Sequence, residues 1–92
     1  MRGRTSHHRR DANHHELVEL ANYLGAFVFD TSQVGRGVPD LFVYYRPLGW
    51  FPVEIKAGKG KLREGQALLQ AVVPIRVWRS REDVYRTLGV RA

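Results

Sequence analysis

Apolar side chains first recur at helical spacing, at Leu17, Val18, Leu20, Ala21 and Leu24. This stripe predicts a helix with Asp11 at its N-cap and Gly25 just beyond its end. The period then shortens. Ala26 to Phe29 predicts a short strand, the loop TSQVGRGVP follows, and Asp40 to Tyr45 (DLFVYY) predicts a second strand rich in aromatic and branched residues. Arg46-Pro47-Leu48-Gly49 has turn chemistry, and Trp50 to Ala57 (WFPVEIKA) predicts the returning strand, with Pro52 near its start. A basic glycine loop at 57–61 precedes a helical pattern from Arg63 to Val73, which Pro74 ends. Ile75 to Trp78 predicts a fourth strand, and Ser80 caps a final helix that runs to Leu88 before Gly89. The predicted order is helix, three strands, helix, strand, helix, an α/β arrangement. Residues 1–10 have no apolar period and predict a flexible basic arm ahead of one domain at 11–92.

Alternation along the hairpin gathers its polar residues. In an extended strand Glu54 and Lys56 share one face, and Val53 and Ile55 take the other. If the strands fold back around Pro47-Leu48-Gly49, partners carry numbers that sum to about 94 or 96. Both registers set Asp40 on the face of Glu54 and Lys56. Two carboxylates and an ammonium then meet between strands that are otherwise apolar, an arrangement that is costly unless the acids are paired or hold a metal. Two carboxylates with the backbone carbonyl of Ile55 suit a hard, oxygen-seeking cation, Mg²⁺ or Mn²⁺. Such a cation activates water and neutralises charge on a phosphoryl oxygen, and a neighbouring lysine stabilises the developing oxyanion. The alternative is a structural salt-bridge cluster around Lys56.

Helix geometry selects further candidates. At about 100° per residue, Glu16 lies at the rim of the first helix's apolar stripe while Glu19 lies opposite it, so Glu16 is the acid able to lean over the sheet edge. In the 63–73 pattern Arg63, Gln66 and Gln70 form one polar strip, and Gln66 is the candidate to face the site. Arg36, Lys59, Lys61 and Arg63 are candidate contacts to nucleic-acid phosphates. Neither glycine-rich segment has the spacing of a phosphate-binding Walker loop or a dinucleotide fingerprint, so no small-molecule cofactor is expected. The pairs His7-His8 and His14-His15 lack ligand spacing and are discounted as metal sites. Trp50 and Phe51 are left open between core and interface.

Charge sharpens the picture. The chain has 92 residues and a net charge of +6, and twelve of its 15 basic residues are arginine. That balance points to a polyanionic partner, with nucleic acid ahead of a membrane surface. With no cysteine there is no disulfide framework, which accords with a cytoplasmic setting. No apolar run approaches the length of a bilayer span.

The segments GVPDLFVYY and VEIKAGKGKL, followed by Gln66, resemble the VRR-NUC branch of the PD-(D/E)XK nucleases. DANHHELVELANYLGAFVFD resembles the first helix and strand of its small phage and bacterial forms, and the likeness spans residues 11 to 85. The resemblance implies a restriction-endonuclease-like αβββαβ core with a mixed central sheet flanked by helices. It also implies a divalent-metal site, hydrolysis of DNA that is often branched or flapped, and a homodimer. By motif match Asp40 and Glu54 would be metal ligands, Lys56 the catalytic lysine, Glu16 the first-helix acid and Gln66 the helix glutamine. The expectation is a metal-dependent endodeoxyribonuclease; the alternative is a basic nucleic-acid-binding module that keeps the fold without turnover.

Overall fold

The computed structural model describes residues 13–58 and 72–91. The apolar stripe becomes α1, His14–Tyr23, which buries Leu17, Leu20 and Ala21. Asn13 holds the N-cap position, and the predicted cap Asp11 lies outside the described residues. At the other end Gly25 takes φ +103°, which a side chain would resist. That turn lets the Gly25 N–H donate to the Asn22 carbonyl and the Ala26 N–H to the Ala21 carbonyl. Ala26 has therefore spent its N–H on the helix, and β1 begins one residue later than predicted, at Phe27–Asp30.

β2 is Leu41–Tyr45 and β3 is Gly49–Ile55. β4 is Arg76–Trp78 and α2 is Arg81–Leu88. The sheet order is β1-β2-β3-β4; β1, β2 and β3 pair antiparallel, and β4 joins β3 parallel. A parallel neighbour requires a crossover, supplied by residues 56–75, most of which lie outside the described residues. The chain is therefore α/β, with a four-stranded mixed sheet. Among the described residues no helix is long and apolar enough to cross a membrane.

Alternation then assigns the faces. Leu41, Val43, Phe51, Val53, Ile55 and Trp78 point to one side, where they join Leu17, Leu20 and Ala21 of α1 and Val84 and Leu88 of α2 in one core. Phe51 thus belongs to the core, and Trp50, one residue away, is exposed. Pro52 lies in the middle of β3, deeper than the predicted strand start. It is accommodated because its missing N–H would face β4, and the β3–β4 pairing begins only at Val53. α2 follows Ser80, whose side chain makes no cap bond; instead the Asp83 carboxylate accepts the Arg79 N–H at 2.7 Å.

Candidate active site

The hairpin settles on the register that sums to 94: Leu41 faces Val53, Phe42 faces Pro52 and Tyr44 faces Trp50. One step further along, Asp40 faces Glu54, and there the backbone ladder stops. In its place the two acids exchange bonds with the opposite main chain. The Asp40 N–H donates to Glu54 Oε1 at 3.1 Å, and the Ile55 N–H donates to Asp40 Oδ2 at 3.0 Å. This exchange is why β2 begins at Leu41 and excludes Asp40, contrary to the predicted boundary. It also fixes both carboxylates, since each is tied to a rigid strand.

Lys56 completes the group. Its Nζ lies 3.7 Å from Glu54 Oε2, and its side chain is mostly covered. Its own N–H donates to the Trp78 carbonyl at 3.1 Å, so β4 holds the end of β3 that carries it. The Glu54 side chain is only 3% exposed. A carboxylate there must be bonded or charge-paired to persist. The structure therefore brings Asp40, Glu54 and Lys56 together as alternation predicts.

The donor set suits a hard divalent cation. Within a strand a residue's N–H and C=O point to the same side, so the Ile55 carbonyl lies on the Asp40 side with its N–H. Two carboxylates and a carbonyl are oxygen ligands of the kind Mg²⁺ and Mn²⁺ take.

Glu16 is placed elsewhere. Its carboxylate lies 3.3 Å from Arg81 Nη1, in a groove with Asn13, Leu17, Arg79 and Ser80. Among the described residues no three His, Asp or Glu side chains gather as a metal site, so Glu16 does not join Asp40 and Glu54 as a third ligand. Packing of α2 beside α1 presents Arg81 to this end of α1, and the nearest opposite charge captures the acid. Arg36 is exposed on the loop before Asp40, with φ 58°. Gln66, Lys59, Lys61 and Arg63 lie outside the described residues.

Two polar clamps depend on the tertiary structure. Thr31 clamps the segment ahead of β2, its N–H donating to the Asp40 carbonyl at 2.7 Å and its hydroxyl to the Pro39 carbonyl at 2.6 Å. The second is His14, which is buried, with Nε2 3.0 Å from Asp30 Oδ2. Discounting His14 as a metal ligand leaves room for this role, since helical spacing from Leu17 and Ala21 already puts residue 14 on the core face. Asp30 also accepts the backbone N–H and hydroxyl of Ser32.

Burial pushes the Asp30 carboxyl up, but the Ser32 bonds and the His14 contact outweigh it and hold the group below 3.8. The unfolded chain thus binds more protons than the folded one in that window, and stability rises with pH through it. Acidification below pH 3.8 should strip away this part of the stability, and Asp30→Asn should flatten that segment of the curve. Urea melts of both chains between about pH 2.5 and 5 check it, and parallel curves would refute it.

Comparison with known proteins finds no matching family model, no matching curated protein and no matching solved structure.

Proposed function

We propose that the chain is a divalent-metal-dependent endodeoxyribonuclease with a restriction-endonuclease-like core, acting on branched or flapped DNA as a homodimer. The observation that carries this is the reciprocal bonding of Asp40 and Glu54 across the end of the β2–β3 ladder, with Lys56 beside Glu54. A purely structural ladder would continue in backbone bonds. Here two buried or half-buried acids take its place on a sheet of a basic protein, side by side and next to a lysine, an arrangement that a divalent cation would further stabilise.

Mg²⁺ or Mn²⁺, held by Asp40, Glu54 and the Ile55 carbonyl, would supply activation of a water and neutralisation of charge on the phosphate. The backbone N–H groups that Asp40 and Glu54 each accept hold their carboxylates in orientation. Lys56, poised 3.7 Å from Glu54, is placed to donate to an oxygen that gains charge at phosphorus. The net charge of +6 favours approach of the polyanion to this acidic spot.

A second reading is favoured by one observation: among the described residues no third acid joins Asp40 and Glu54. On that reading the chain is a nucleic-acid-binding module with the same sheet and no turnover. Labelled branched DNA, incubated with and without Mg²⁺, separates the two. Products that need Mg²⁺ and vanish in Asp40→Ala support the nuclease, whereas retention on the DNA without cutting, in both chains, supports the module.

A further inference from the structure

The sheet face that carries Asp40 and Glu54 also carries a row of aromatic rings that the core does not use. By register Phe27 faces Tyr44 and Tyr44 faces Trp50, so the three stand side by side across β1, β2 and β3. Their rings touch: Phe27 and Trp50 meet edge to face with centroids 6.1 Å apart, and Tyr44 and Trp50 lie 5.5 Å apart. Yet Phe27 is 60% exposed and Trp50 57%. Large rings left in water together on one sheet face are not explained by packing. Asp40, just ahead of β2, is four residues from Tyr44, about 13 Å along the extended chain.

We propose that this row is a stacking platform for the unpaired bases of single-stranded nucleic acid. Every base has a π face, so a row of rings holds a strand without reading its sequence. Charge favours this occupant. No acidic residue occurs from Leu41 to Val53, where the sole charge is Arg46 at the turn. The chain as a whole carries +6, which a polyanion complements. A duplex keeps its base faces stacked inside, so only an unpaired stretch can lie on the row. The inference deepens the nuclease reading, and rests on it for the consequence that the bound strand leads toward Asp40 and Glu54. DNA with a single-stranded branch or flap would then be held by its unpaired arm.

Tryptophan emission reports the contact directly. The chain has two tryptophans, and Trp78 is 0% exposed, so a ligand that stacks on Trp50 changes the accessible one. Titration of the full chain with an oligodeoxythymidylate, in chelator so that nothing is cut, should quench the emission, and a blunt duplex of equal length should quench it far less. Trp50→Leu should abolish the quenching and weaken single-strand binding about 5- to 100-fold, while Trp50→Phe, which keeps a ring, should retain most of the affinity. Residual Trp78 emission checks that both variants fold. Single-strand binding of unchanged strength in Trp50→Leu would overturn the proposal, as would binding without any change in emission. So would a self-association that Trp50→Leu abolishes while oligonucleotide affinity stays the same, since the row would then face a second copy. Because no cutting is measured, quenching by a chain that never cleaves DNA would remove the nuclease reading and leave the platform standing, and cleavage without quenching would do the reverse.

Discussion

Glu54→Gln is expected to fold normally and to cut branched DNA about 10²- to 10³-fold more slowly than the parent chain, the loss typical when a preorganised electrostatic group is removed from a site. The amide keeps the shape of the side chain, and its oxygen can still accept the Asp40 N–H that Glu54 Oε1 accepts at 3.1 Å. What disappears is the negative charge, and with it the charge partner of Lys56 and the cation ligand that the nuclease reading assigns. Removing one member of a buried pair usually costs about 3–5 kcal/mol, because the survivor stays buried and uncompensated. Here the survivor is Lys56, whose side chain is 18% exposed at the end of a strand. Its ammonium can turn to water, so the stability loss should stay under about 2 kcal/mol. Initial rates at fixed Mg²⁺, taken beside a thermal melt, make the comparison. An unchanged rate in a well-folded Glu54→Gln chain would mean that the acids only tie the hairpin together.

The second large effect concerns the core. Trp78 is among the largest fully buried side chains, and its Nε1–H donates to the Thr87 hydroxyl at 3.0 Å, tying β4 to α2. Trp78→Ala should cost about 3–5 kcal/mol, from lost burial and the cavity left behind. A domain this size holds only about 5–15 kcal/mol in all, and each kcal/mol moves its midpoint by about 4–8 °C. The melting temperature should therefore fall by about 12–40 °C, which leaves the chain partly unfolded at 37 °C. Trp78→Phe keeps a ring in place and should lose far less. The effect also reaches the site, because the Trp78 carbonyl accepts the Lys56 N–H. Differential scanning calorimetry measures both shifts, and a drop of only a few degrees in Trp78→Ala would remove Trp78 from its central place in the core.

How far the sequence could be read depended on whether a feature was local. The α1 stripe, the hairpin and the Gly89 stop of α2 follow from period and from backbone freedom, and all appear within a residue or two of the predicted bounds. The boundary shifts have local causes that pattern does not display. Ala26 gives its N–H to the helix end, and Asp40 gives its N–H to a side chain across the hairpin. Glu16 shows the other kind of miss. Its position on the helix rim was legible, but its partner Arg81 is far away in the chain and comes beside it only when the two helices pack on the same face of the sheet. The same holds for His14, whose burial follows from spacing but whose bond to Asp30 requires α1 to lie against β1.

By itself, then, the amino-acid order determined the face on which Asp40, Glu54 and Lys56 sit, because a side chain in an extended segment can take only one of two sides and both registers that the turn allows put the three together. Only the tertiary structure decided how those groups are bonded, that Trp50 stands outside while Phe51 is covered, and that Glu16 goes to an arginine and does not join the other acids. Those outcomes depend on contacts between segments distant in the chain, where distance and burial choose among partners of similar chemistry and no periodicity records the choice.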